Sequence, residues 1–354
     1  MIQFISNYLG TKKRNLFYKL LLKFKVFIIY VIIGSFSIFL ELFFRKILIF
    51  FQFEETFSTF IVLPLGVFTA FYLNLKFNFK IKKDRILISC LIFHLISIAS
   101  IITQLIIKEK FLVSINYEIK RVFISGLCFI FFYFLHIKFS FKDQIKIGTA
   151  IYANGVDDIG KIYDKIEVYP DFIHIDLVDE TFLHNASKIE EDQIKKTREK
   201  WINKEIHLHI MSKKPSVWIQ KYIDYVDKIF FHFEIDESID KILENHKKDG
   251  NKLGLAVHNK TNFVLFEKQI EKFKNILLLA IDKPGMSGQL FNEDAYNNID
   301  KINELIKDKN ITLCVDGGIN LQNIKKINSA EIVSGSYVLK SIDPIYAMLR
   351  LKFS

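Results

Sequence analysis

His174 and Asp176 stand two residues apart in an otherwise apolar run, His209 closes a second such run and Asp316 a third. In an extended chain, positions i and i+2 point the same way. Two imidazoles and two carboxylates aimed at one point form a donor set for a divalent cation such as Zn²⁺, Mn²⁺, Fe²⁺ or Co²⁺. Taken singly, each has a plainer reading as a capping or hydrogen-bonding residue at a strand end; four at corresponding depth favour the cation. His232 and Glu234 also share a face, and with Met211 they either hold the ligands from behind or are simply satisfied core residues. Three glycine-bearing turns follow later in the chain: Pro284-Gly-Met-Ser-Gly-Gln289, Asp316-Gly-Gly-Ile319 and Ser334-Gly-Ser336. One such turn means little, because turns use glycine anyway. Three in succession let backbone N–H groups at Gly285, Ser287, Gly288, Gly317, Gly318, Gly335 and Ser336 approach an anion, which points to a phosphate-bearing substrate.

These residues need a scaffold that brings distant segments to one mouth. From residue 146 onward, short apolar runs alternate with amphipathic stretches, and we read strands at 146–153, 171–179, 205–211, 228–234, 252–258, 275–282, 311–318 and 330–336. Helical stretches such as Pro215–Val226 and Thr261–Phe273 fill the intervals. Eight strands alternating with helices in about 210 residues predict an α/β fold, a (β/α)8 TIM barrel, with its site at the carboxyl ends of the strands. The late strands, where the glycine turns lie, are where such barrels usually build phosphate cradles.

The chain before this point is different. The whole sequence has 354 residues and a net charge of +10. Residues 1–142 hold 19 Lys and Arg against 6 Asp and Glu, whereas residues 143–354 hold 30 against 33. The basic excess thus lies beside four nearly uncharged stretches, Val26–Phe44, Phe57–Leu75, Ile86–Ile107 and Val122–Ile137. Their length predicts an α-helical bundle of four transmembrane helices, and the basic residues are expected to set topology and meet anionic lipid headgroups. Nucleic-acid binding is therefore not expected. The leader lysines and the loop with Lys76, Lys80, Lys82, Lys83 and Arg85 favour a multi-pass protein of the inner (cytoplasmic) membrane, with the N-terminus and the barrel on the cytoplasmic side. Domain limits of 1–142 and 143–354 follow. Residues 71–80 (FYLNLKFNFK) and 133–142 (YFLHIKFSFK) repeat one pattern, through either duplication or interfacial anchoring of helix ends. Glu41 sits in the first span, and such a carboxylate either faces a bundle interior or reaches the headgroups. Three cysteines, none in CxxC spacing, exclude a disulfide framework, a zinc ribbon and a thioredoxin-type motif. There is no GxGxxG dinucleotide fingerprint.

Two resemblances join these readings. HIDLVD (174–179), HIMSKKP (209–215), FHFE (231–234), PGMSGQ (284–289) and VDGGI (315–319) occur in the order and spacing of the ribulose-phosphate 3-epimerase family, and the similarity spans residues 145–354. The resemblance implies that His174, Asp176, His209 and Asp316 bind one catalytic divalent metal and that Asp176 and Asp316 are the acid/base pair. It also implies that Gly288, Gly318, Gly335 and Ser336 hold the phosphate of a sugar substrate, through backbone groups rather than excess positive charge. Removing a weakly acidic proton beside a ketone and returning one from the other face suits two carboxylates and a metal. Departures lie at Ala150, where the family has serine, at Val178-Asp179-Glu180, at His258-Asn259 and at Lys283-Pro284-Gly285. The expected substrate is thus a sugar phosphate that need not be ribulose 5-phosphate.

The segment Gly34-Ser-Phe-Ser-Ile-Phe-Leu-Glu41 and the Asn/His-x-Lys-Phe-x-Phe helix ends make residues 20–142 similar to the GtrA-like membrane family. That family is associated with cell-surface polysaccharide synthesis and with moving polyprenyl-phosphate-linked sugars. The combined expectation is a membrane-anchored isomerase of carbohydrate metabolism coupled to polysaccharide biosynthesis, with the oligomeric state left open. The alternative is a transporter or scaffold whose barrel binds a sugar phosphate without turnover.

Overall fold

The computed structural model describes residues 11–81, 85–111, 117–141, 144–152, 158–187 and 192–353. Lys82, Lys83, Lys142 and residue 153, the last of the first expected strand, lie outside them. The chain divides into two compact units, Met1–Gln144 and Ile145–Ser354.

The first unit is helical: α1 (Thr11–Phe50), α2 (Glu55–Phe77), α3 (Ile86–Phe111) and α4 (Tyr117–Leu135), the last running into a π-helical turn, His136–Ser140. Three segments are long and apolar enough to cross a membrane, Phe24–Phe50, Glu55–Phe77 and Ile86–Gln104. The shortest has 19 residues, about 28 Å at ~1.5 Å per residue, close to a hydrocarbon core of about 30 Å. The fourth expected span, Val122–Ile137, lies within the helix that runs from Tyr117 to Ser140, whose described apolar stretch is Cys128–Ser140. The outward surface is apolar too, with Phe60 78 % exposed and Leu95 67 % exposed, which suits lipid rather than water.

The repeated decapeptides meet one another. Phe79 and Phe141, equivalent positions of the repeat, are buried and stacked with ring centroids 4.1 Å apart. Asn78 donates to the Val26 carbonyl at 3.0 Å, and His136, the counterpart of Asn74, contacts the Ser140 hydroxyl at 3.1 Å. Phe79 and Phe141 thus have a core role, while Tyr72, Phe77, Phe134 and Phe139 of the same repeats face outward.

The second unit is a closed barrel of eight parallel strands in sequential order. They are β1 (Lys146–Tyr152), β2 (Phe172–Val178), β3 (Glu205–Met211), β4 (Lys228–His232), β5 (Leu253–His258), β6 (Asn275–Leu279), β7 (Thr312–Asp316) and β8 (Glu331–Val333). Helices α5 (Ile159–Ile166), α6 (Asp192–Lys200), α7 (Ser216–Tyr222), α8 (Ile239–Asn245), α9 (Phe263–Ile270) and α10 (Ala295–Leu305) cover the first six crossovers, and α11 (Ser336–Leu339) and α12 (Pro344–Phe353) follow β8. Strands covered on both faces are apolar nearly throughout, and every residue of β2 is buried. Five strands end one to three residues earlier than the sequence predicts: residues 179, 233–234, 280–282, 317–318 and 334–336 lie beyond the strand ends.

The interior is filled in layers. Gly148 leaves room for Phe172, whose ring would lie 2.3 Å from a Cβ there; Phe230, Leu277, Leu279 and Cys314 complete the plug. At the amino ends of the strands Lys228 contacts Glu331 at 2.7 Å and Glu205 at 2.9 Å, and Lys146 contacts Glu205 at 2.8 Å. His207 and Cys314 approach Glu331 at this end, but Lys228 already balances that buried carboxylate. The open chemistry lies at the other end.

Candidate active site

β2, β3 and β7 deliver His174 and Asp176, His209, and Asp316 to one place, where one donor atom from each lies within 4.8 Å of the others. The register explains it: Asp176 pairs with His209 across β2 and β3. His174 and His209 are fully buried and Asp176 and Asp316 nearly so. Both His174 ring nitrogens lack a hydrogen-bond partner among the described residues; Nε2 is 3.5 Å from Asp176 Oδ1 and 3.8 Å from Asp316 Oδ2.

A chain of contacts runs back from this cluster. His209 Nδ1 is 3.0 Å from Asp176 Oδ1, His209 Nε2 is 2.9 Å from His232 Nε2, and His232 Nδ1 is 2.9 Å from Glu234 Oε2. Glu234 lies just past β4, and its Oε1 accepts from the His258 N–H at 3.0 Å and from the Thr261 hydroxyl. Burial alone would raise the Glu234 carboxyl, but His232, Thr261 and the His258 N–H outweigh it and hold it down at about 2. Burial lowers His209 to about 4 against the pull of Asp176, so near neutral pH the ring is uncharged. Where His232 donates from Nδ1 to Glu234, its Nε2 is free to accept from His209 Nε2. His209 Nδ1 and Asp176 Oδ1, 3.0 Å apart, are groups that one cation could share.

The electrostatics agree. His174 is raised: burial opposes its charge, but Asp176 and Asp316 more than compensate. Asp176 is held far below the usual carboxylate range, because His174 and His209 overcome the cost of its burial. Asp316 is pushed the other way, by burial and then by the charge of Asp176. The residues present thus fit a divalent cation of mixed nitrogen and oxygen preference, and Glu234 and His232 fit the role of orienting His209. Glu234→Gln weakens the ionic end of this chain. Metal affinity should fall about 10- to 100-fold, read by competition with a chelating dye; unchanged affinity would separate Glu234 from the metal site.

Above the cluster is a cavity of about 280 Å³ lined by Asp176, Asp316, Met211 and the glycine turns. Met211, read as a support behind the ligands, forms part of the cavity wall. The loops that left the ladder early supply the rest. Gly318 adopts φ +68°, and a Cβ there would lie 2.2 Å from the Phe291 nitrogen, so only glycine lets the two loops pass. Gly285, Ser287, Gly288, Gly317, Gly335 and Ser336 line the same space. One expectation changes. Positive charge does reach this cradle, since Lys340 Nζ is 3.3 Å from where a Gly288 Cβ would stand. The sequence reading also passed over Tyr152, which lines the cavity from the end of β1. Its even-numbered spacing from Lys146, Gly148 and Ala150 was the available signal.

In the helical unit, Glu41 is buried and lines a separate cavity of about 120 Å³ with Ser37, Asn74, Ser97, Gln104 and His136. Of its two readings, the structure favours the bundle interior.

Comparison with known proteins places the barrel. The ribulose-phosphate 3-epimerase from Buchnera aphidicola (subsp. Baizongia pistaciae) is 34 % identical over 206 residues, covering 56 % of this chain and 90 % of that protein. The enzyme of that name from Escherichia coli K12 is 28 % identical over 179 residues, covering 49 % of this chain and 79 % of that protein. Among solved structures, a 3-hexulose-6-phosphate synthase from Salmonella typhimurium aligns with 59 % of this chain and 97 % of its own, at 18 % identity and a TM-score of 0.44. The Ribulose-phosphate 3 epimerase family profile matches residues 146–339, and the chain belongs to that family.

Proposed function

We propose that the barrel is a metal-dependent sugar-phosphate 3-epimerase carried on a membrane-embedded helical unit. The observation that carries this reading is the pair Asp176 and Asp316, two carboxylates with opposite proton affinities lining one cavity. His174, His209, Asp176 and Asp316 would hold the metal, which when bound supplies positive charge to the ketone and hydroxyl oxygens where negative charge develops. Asp176, ionised, takes the proton from the carbon beside the ketone. Asp316, protonated, returns one to the other face, and the reverse reaction exchanges the roles. Backbone N–H groups of the glycine turns hold the phosphate and fix the carbon between the two carboxylates.

The test is solvent exchange. Full-length protein in detergent with Zn²⁺, Mn²⁺, Fe²⁺ or Co²⁺ is expected to place deuterium from D2O on carbon 3 of a ketopentose or ketohexose phosphate, read by proton NMR. Exchange into none of them sinks the epimerase reading and leaves the alternative favoured by the departures at Ala150, Val178 and Glu180, a barrel that binds without turnover. Lys340→Met should raise KM about 3- to 10-fold with kcat nearly unchanged, because one exposed ammonium beside a phosphate contributes modestly. The effect should shrink in high salt; no change in KM would mean the ammonium does not reach the phosphate.

For the helical unit the finer reading is a GtrA-like module that handles polyprenyl-phosphate-linked sugars in the inner membrane, with the barrel cytoplasmic. The buried Glu41 among hydroxyl and amide groups supports it. Glu41→Gln in proteoliposomes should slow transfer of such a lipid across the bilayer; equal transfer with and without the protein would refute it.

A further inference from the structure

Tyr152 is the last residue of β1 and stands beside Asp176 in the ladder. Its side chain lines the cavity with both carboxylates and with Ser287 and Gly288. The phenol faces the same cavity as Ser287, Asp176 and Asp316, near enough for each of them to influence its hydroxyl. These two ends of the cavity have separate jobs in the epimerase reading, on which the present inference rests: the carboxylates mark the reacting carbon, and the glycine turns mark the phosphate. A hydroxyl that reaches both ends must lie alongside whatever joins them. In a ketose phosphate, that is a carbon bearing its own hydroxyl.

We propose that Tyr152 is the specificity-determining residue that reads the hydroxyl on the carbon next to the reacting one, on its phosphate side, and so restricts the ligand to ketose phosphates with a free hydroxyl there. When the ligand hydroxyl is missing, the phenol that faces it loses that hydrogen bond. A site built to bond a hydroxyl rejects the analogue that lacks it more strongly than an apolar wall would.

The experiment is a cycle between the protein hydroxyl and the ligand hydroxyl. Full-length wild type and Tyr152→Phe, in detergent with divalent metal, are compared on D-ribulose 5-phosphate and its 4-deoxy analogue, by calorimetric Kd and by kcat/KM. Tyr152→Phe should weaken binding of the parent compound about 10- to 100-fold and leave the 4-deoxy compound within about twofold. Wild type should lose the same factor on going from parent to analogue. Equal losses on both compounds would mean the ring props the β1 end without reading the sugar, and no loss on either would remove Tyr152 from recognition; each overturns the proposal. Wild type that binds both with this pattern but epimerises neither defeats the epimerase reading while the role of Tyr152 stands. Wild type that binds neither overturns the assignment of Tyr152, while the epimerase reading is decided by the exchange test across the ketopentose and ketohexose phosphates.

Discussion

Asp176→Asn is expected to lower kcat/KM by at least about 10⁴-fold, since it removes a proton acceptor, worth about 10²–10⁴ by itself, together with a metal ligand. The size follows from how many roles meet on one side chain. Asp176 Oδ1 is 3.0 Å from His209 Nδ1 and 3.5 Å from His174 Nε2, so the same oxygen anchors both imidazoles that would share the cation. An amide cannot take a proton from carbon, and its neutral oxygen is a weaker metal ligand. The substitution should therefore cost metal content, read by elemental analysis of the purified protein, as well as turnover. A second consequence separates it from general damage. The charge of Asp176 is one cause of the upward push on Asp316, so without it Asp316 should ionise more readily in the metal-free protein. An Asp316 carboxyl resonance that titrates no lower in Asp176→Asn than in wild type, or activity retained within about tenfold in an assay sensitive to a 10⁴-fold loss, would remove Asp176 from its assigned place.

Much of this site was legible because strand geometry converts spacing into direction. His174 and Asp176 must share a face once β2 is a strand, and the apolar residues between and around them mark a strand covered on both sides. His232 and Glu234 obey the same spacing, yet β4 ends at His232, and Glu234 returns to the ring because the His258 N–H and the Thr261 hydroxyl hold its other oxygen. No local pattern announces those partners. The overlong readings of β6, β7 and β8 have related causes: residues 280–282, 317–318 and 334–336 look like strand continuations, but Gly317, Gly318 and Gly335 stand where the chain turns to line the cavity after β7 and β8, and the turn with Gly285 and Gly288 follows β6. Tyr152 and Lys340 stayed hidden because tyrosine and lysine are ordinary at strand ends and on surfaces; only the cavity gives them meaning. In the helical unit, apolar length identified three spans, whereas the fourth helix is apolar enough over too few described residues. The opposite proton affinities of Asp176 and Asp316 were not legible at all, since they depend on which carboxylate sits closer to the imidazoles.

That difference leads to the second large effect. Asp316→Asn should reduce epimerisation by about 10³-fold or more through loss of a general acid/base and a ligand, but it should not abolish proton chemistry. Asp176 keeps its two histidine contacts, and His174, His209 and Asp176 remain as three donors for added metal. The variant can still remove a proton from the epimer whose C–H faces Asp176 and, with no partner on the other face, return a solvent deuteron to the same side. In D2O with excess metal, one epimer should gain deuterium at carbon 3 without inverting, while the other stays protonated. Asp176→Asn should show the mirror preference at whatever residual rate it retains. Proton NMR of the two separated epimers reads both outcomes at once. Exchange into both epimers at comparable rates in Asp316→Asn would mean that one group serves both faces, and the two-carboxylate mechanism would have to be abandoned even though the metal site remained.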